Sequence, residues 1–380
     1  MNKIALTILS VLVSFSAYCH NSSQSYKFRL YLKDKGHTEY NISNPEKFLS
    51  PQSIERKQRQ GVSIDQSDIP ISNDYFHLIS LSGGKVVSHS KWFSTVVIEL
   101  SDSVMIDNFL NLSFVDSAKY VWKGADGREL NLERPRLSAV DFSVDINAYD
   151  FGNSDAQFKL HNAEDLYEST FSGRGMNIAV IDAGFTNVDV IPHFEGANIK
   201  EFKSFVPYGN PLVDSDHGTR VLSTMYGLIL GMLRGSANSA NFYLLQSEEV
   251  ASEFPVEEDY WVRAVEYADS VGVDVINSSL GYNTFDDSML NYTHDLLDGR
   301  TSIMSKAADL AFDKGMIVVT SAGNEGNKEW QKISVLGDAA KALTVGAVDS
   351  SGEIAGFSSK GFTADNRLKP DVVSVGRSTV

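Results

Sequence analysis

Uninterrupted apolar runs set the strongest limit on what this chain can fold into. They lie at 176–181, 241–245, 273–277, 316–320 and 342–348, with helical patterns at 217–230, 257–271 and 303–314 between them. A strand without polar alternation has both faces covered, and strands separated by helices imply crossover connections. Together they predict an α/β fold, a parallel sheet flanked by helices, from about 159 to 380. In open parallel sheets ligands bind beyond the carboxyl ends of the strands. The residues that follow each run are therefore where chemistry is sought.

The region before it has a different character. Strand-like alternation marks 26–32 and 94–100, with helix candidates at 51–61 (Pro51 at its start, Gly61 at its end) and 103–110. This predicts a small α+β domain over 25–124, joined by a polar linker at 125–158 that contains Pro135. The domain has 12 basic and 11 acidic residues, whereas 125–380 has 20 basic and 38 acidic. The chain as a whole carries a formal charge of -16 over 380 residues, which excludes nucleic acid as a natural partner. At its start, Lys3 precedes an apolar run at 4–15, followed by Ser16, Ala17 and Cys19. A basic start, a short apolar middle and a small-residue exit read as a signal peptide over 1–20. Tyr18 stands where a lipoprotein signal needs a small residue. No later run is long enough to span a membrane. The expected location is secreted, periplasmic or extracellular. Cys19 is the single cysteine, which rules out an internal disulfide framework.

Four segments carry unusual residues at the expected places. The first run ends in Asp182-Ala183-Gly184, and a helix opens with His217-Gly218-Thr219-Arg220-Val221. Later runs end in Ser278-Ser279-Leu280-Gly281 and in Ser321-Ala322-Gly323-Asn324-Glu325-Gly326. Singly, a strand-end Asp reads as a polar terminus and a helix-start His as a surface residue. In this order and combination they resemble the subtilisin-like serine proteases, over about 159–371.

That resemblance implies a serine endopeptidase acting on polypeptide substrates. It makes His217 the general base, and Asp182 the residue that fixes its tautomer and stabilises the imidazolium. Asn324 becomes the side-chain donor to the developing oxyanion. Ser279, Leu280 and Gly281 become an edge that pairs with substrate backbone, and Ser321, Ala322 and Gly323 the wall of the S1 pocket. The 25–124 domain resembles, by position and size, a propeptide that acts as an intramolecular inhibitor. No cofactor is expected. Calcium stabilises many relatives, but no loop spacing here identifies a metal site.

The nucleophile is the exception. The family's Gly-Thr-Ser-x-Ala follows a Lys-Pro-Asp segment; Lys369-Pro370-Asp371 is present, and no Gly-Thr-Ser occurs in the chain. Gly376-Arg377-Ser378 comes too soon after it and lacks a following helix. The expectation is therefore a sequence truncated before its serine and inactive as a 380-residue chain. A secreted pseudoprotease or binding module is the alternative. A metal-dependent hydrolase using Asp182, Asp214, Asp216 and His217 is a further one. A dinucleotide fold is excluded because Gly173 and Gly175 precede the first strand instead of following it.

Overall fold

A computed structural model describes residues 24–125, 151–229 and 231–379. The expected leader and most of the expected linker lie outside the described residues. The N-terminal unit contains β1 (Gln24–Leu32), α1 (Pro51–Gln60), α2 (Asn73–Leu81), β2 (Lys85–Ser90), β3 (Thr95–Leu100), α3 (Ile106–Leu110) and β4 (Val115–Ala125). Its sheet is antiparallel in the order β2-β3-β1-β4. Helix α1 starts and stops where its sequence says: the Ser50 side chain caps Ser53 N, and Gly61 ends it at φ 67°. Phe28, Leu30 and Leu32 alternate onto a core with Ile79, Val96, Ile98 and Phe109. The intervening Lys27 and Arg29 are also buried. Their face of the sheet meets the second unit.

That second unit contains β5 (Asn177–Asp182), β6 (Asn198–Ser204), α4 (His217–Tyr226), β7 (Asn241–Gln246), α5 (Val256–Val271), β8 (Val275–Ser278), α6 (Ile303–Asp313), β9 (Ile317–Ser321), β10 (Leu343–Val348) and β11 (Val372–Val375). The seven strands are parallel throughout, in the order β11-β10-β9-β8-β5-β7-β6. Central β5 sends Ile178 and Val180 to one face, against Leu222 and Tyr226 of α4. It sends Ala179 and Ile181 to the other, against Trp261 and Val265 of α5 and Met304 of α6. Helices thus cover both faces, as the unbroken apolar run of β5 requires. From β7, on one side of β5, the chain crosses to β8 on the other. A crevice opens at such a switch point, and here it opens at the carboxyl end of β5.

Some boundaries differ from expectation. Helix α4 stops at Tyr226 rather than 230, because Gly227 turns out of the helical region to ψ 128°, at a place where a Cβ would lie 2.5 Å from the Ser223 carbonyl oxygen. Leu228–Ile229 then pairs with Leu233–Arg234 as a small hairpin. The end of the expected linker is ordered as a helix, Asp155–Lys159, and buried Phe151 packs on Phe158.

Helix α5 joins the two units. Arg29 donates to both oxygens of Asp259, at 2.6 and 2.7 Å. The Glu266 carboxylate accepts from Ser90 Oγ, Lys91 N and Trp92 N. Arg56 pairs with Asp269, and Lys57 Nζ lies 2.9 Å from the same carboxylate. Val97, Val121 and Trp122 pack against Val256 and Tyr260 of α5 and against Phe254 and Val206. The N-terminal sheet therefore covers the outer face of a helix whose inner face covers the parallel sheet.

Candidate active site

Strand β5 delivers Asp182 to the crevice fully buried. Its Oδ1 accepts from Ala183 N at 2.8 Å and lies 2.7 Å from His217 Nδ1, while Oδ2 has no partner. Two glycines make that approach possible. A Cβ on Gly218 would lie 2.5 Å from the Gly184 carbonyl oxygen, and one on Gly184 would lie 2.7 Å from Ser215 N. Gly218 N instead donates to Gly184 O at 2.9 Å, which stitches the start of α4 to the turn after β5. The hydrogen bond with Asp182 holds the imidazole above its usual pKa; burial opposes, and the charges of Asp182 and Glu248 add to the rise. With Nδ1 facing a carboxylate, that nitrogen carries the proton and Nε2 is the basic one.

His217 lines a cavity of about 620 Å³ together with Ala183, Ser215, Ser279, Leu280 and Gly281. The far wall is acidic: Glu248, Glu249, Glu253 and Asp286. Burial pushes the Glu248 carboxyl up to about 7, helped by the charges of Glu253 and Asp182. Burial and Asp286 push Glu253 up to about 7 as well. The buried Glu257 carboxyl next to them is raised well above its usual value, by burial and by Glu253, Glu248 and Glu249. These acids escaped the sequence reading. Glutamates at 248, 253 and 257, around the predicted start of α5, carry no spacing that sets them apart from solvated charge.

Of the residues expected to form a site, Asp182, His217 and Ser279 to Gly281 come together at this cavity. Ser321 ends strand β9, one strand further from β5 than β8, Ala322 and Gly323 follow it, and none of the three lines the cavity. The two strand ends meet at Ser334: Cβ atoms on Gly281 and Gly323 would both lie within 3.1 Å of its side chain. Asn324 is solvent-exposed beside them. Asp214 and Asp216 do not join a metal-binding group. Asp214 accepts from Gln246 Nε2 at 2.7 Å and Asn210 N at 2.8 Å, and Asp216 pairs with Arg220. Ser378 is exposed at φ 59°, and its neighbour Thr379 lines a different pocket, with Gln157 and His161.

The class defined by the fold is an α/β protein with one parallel sheet, helices on both faces and an Asp–His pair at its switch point. Residues 173–380 match the Subtilase family, and this chain belongs to that family. Residues 27–135 match the peptidase S8 propeptide domain of Bacteroidota. Similar proteins include subtilisin E of Bacillus subtilis, 33% identical over 207 residues, which are 53% of this chain and 48% of that protein. Serine protease AprX of the same species is 27% identical over 224 residues, 54% of this chain and 47% of the relative. This chain spans about half the length of these curated relatives. The fold is similar to that of the epidermin leader peptide processing serine protease from Staphylococcus aureus. The TM-score is 0.56 at 17% identity, covering 93% of this chain and 75% of that one. Among the described residues, no helix is long and apolar enough to cross a membrane.

Proposed function

We propose that this protein is an exported serine endopeptidase in which His217 is the general base and Asp182 its orienting carboxylate. The observation that carries the reading is the 2.7 Å contact between His217 Nδ1 and a fully buried Asp182 on the wall of a solvent-accessible cavity. Such a base takes a hydroxyl proton and returns it to the leaving amine, and the carboxylate stabilises the imidazolium formed in between. Ser279 to Gly281 offer substrate backbone a strand edge on the same wall. Ser321 to Gly323 form the adjoining S1 wall, and Asn324 is the oxyanion donor.

The N-terminal unit, 25–124, is the inhibitory propeptide of this reading. Its last strand supports that role: Trp122 Nε1 donates to Ser252 Oγ, on the cavity wall, and Lys123 pairs with Asp287 beside Asp286. The nucleophile is a serine outside the 380 residues, since none of the serines within them sits in Gly-Thr-Ser.

A serine-directed phosphonate tests this. A longer version of the protein carrying Gly-Thr-Ser-x-Ala should label stoichiometrically and cleave peptides, and His217→Ala should abolish both, because base and nucleophile act as one unit. The 380-residue chain should not label. Stoichiometric labelling at Ser378 would overturn the assignment of the nucleophile. Absence of labelling from the longer protein would favour a binding module with a protease fold.

A further inference from the structure

We propose that Glu248, Glu253 and Glu257 form a binding site for a divalent cation, best matched by calcium, which ties the loop after β7 to the first turn of α5. The argument starts in that first turn. Glu257, Glu258 and Asp259 are all buried, at 0%, 1% and 4% exposure. Two of the three have partners built into the fold. Glu258 accepts from the hydroxyls of Tyr292 and Ser302, and Asp259 takes the guanidinium of Arg29. Glu257 forms no full hydrogen bond with either of its buried oxygens, and the one donor facing it is the Tyr282 hydroxyl. A helix N-terminus favours a carboxylate by only about 0.3–2 kcal/mol, whereas a buried unpaired charge costs several-fold more. Two acids in one turn are matched by the fold and the third is left open to a partner from outside the protein chain.

The position of Glu257 says what that partner is. Carboxylate oxygens of Glu248, Glu253 and Glu257 lie within 4.8 Å of one another. The donor set holds oxygen alone, without imidazole or thiolate, and so selects a hard cation over zinc or copper. Magnesium keeps several of its waters and takes one or two carboxylates, whereas calcium takes several carboxylates in a flexible shell. Three carboxylates converging within 4.8 Å fit the larger ion. Glu248 and Glu253 are half-buried and line the open cavity, which gives the ion a way in. A lysine or arginine side chain of a bound peptide could enter by the same route. It would bring one positive charge to three carboxylates, and it would have to reach a glutamate with no exposed surface. The Tyr282 hydroxyl, also buried and unpartnered, can donate to only one of Glu257's oxygens.

Calcium binding to the chelator-treated 380-residue chain, followed by calorimetric titration at constant ionic strength, tests the site without any need for protease activity. Glu257→Gln should weaken one calcium site by about 100-fold or more, as loss of a direct charged ligand does. Glu253→Gln should weaken it by at least about tenfold, and Glu329→Gln, at an exposed acid elsewhere, should leave it unchanged. Calcium should raise the melting temperature of the wild type and not that of Glu257→Gln. If Glu257→Gln does not fold, the half-exposed Glu253→Gln carries the same comparison. Equal calcium binding by wild type, Glu257→Gln and Glu253→Gln would overturn the proposal. So would a wild type that binds no calcium, including one that instead binds trilysine in a manner lost in Glu253→Gln.

Discussion

Replacing Arg29 by Met should destabilise the protein far more than the contact's size implies, and replacing its partner as well should restore most of the loss. The guanidinium donates to both oxygens of Asp259 at 2.6 and 2.7 Å, and the two side chains are 3% and 4% exposed. Met keeps much of the Arg volume but leaves a carboxylate stranded between β1 and α5. Breaking one side of a buried pair costs about 3–5 kcal/mol, while replacing both sides by apolar groups is close to neutral. At a urea slope of about 2–3 kcal/mol/M, Arg29→Met should lower the unfolding midpoint by about 1–2.5 M. Arg29→Met with Asp259→Leu should return it near wild type. Trp92 and Trp122, buried where the units meet, make intrinsic fluorescence the readout.

The pH dependence gives a second handle. Burial already pushes the Asp259 carboxyl above its usual value, with Arg29 opposing. Without Arg29 the folded-state pKa rises further. A carboxylate with a raised folded pKa is destabilising above that pKa, and the penalty vanishes as pH falls to the unfolded value of about 3.9. The deficit of the single variant should therefore shrink from neutrality towards pH ~4. The double variant should lack this component. Equal losses in both variants, or a single-variant deficit that grows in acid, would refute the argument.

Gly218→Ala places a methyl against the Gly184 carbonyl and must push α4 away from β5. It should cost about 1–3 kcal/mol, and the His217 pKa, read by histidine NMR, should fall towards about 6.5 as the Asp182 bond lengthens; an unmoved pKa would mean the glycine is not what brings the pair together. In an active, longer form of the protein, Asn324→Ala should slow turnover by about 10²–10³ with little change in KM, a size taken over from subtilisin itself. An unchanged kcat would remove Asn324 from the oxyanion role.

The interior strands of the parallel sheet were legible because burial on both faces leaves an unbroken apolar run, as in β5 and β7. The edge strands were not. β6 reads Asn-Ile-Lys-Glu-Phe-Lys-Ser and β11 Val-Val-Ser-Val, and each has one side open to water. Helix α2 was missed for a different reason: Tyr75, Phe76, Leu78, Ile79 and Leu81 put apolar residues on both its buried and its exposed side, so no polar face marks a helical period. The Asp–His pair could be read because it sits on sharply punctuated local signals, a strand end and a His-Gly helix start. The acidic wall could not, since three glutamates in a loop and a first turn look like solvated charge until the fold covers them. Lys27 and Arg29 misled in the same way. Their alternation with Phe28 and Leu30 is that of a strand with one wet face, and the face is in fact sealed by α5.

That sealed face has a consequence for traffic between the two units. The N-terminal unit is almost neutral overall, yet Lys27, Arg29, Arg56 and Lys57 are gathered on the side that meets Glu249, Asp259 and Asp269. Parted in solution, the two surfaces would attract each other over roughly one Debye length, about 10 Å at 0.1 M salt. Recapture of a detached N-terminal unit would then be fast in dilute buffer and slow in brine, while the apolar contacts of Trp122 and Val97 would set how long it stays. Ionic strength would thereby act on the rate of re-association and leave the lifetime of the joined state largely alone.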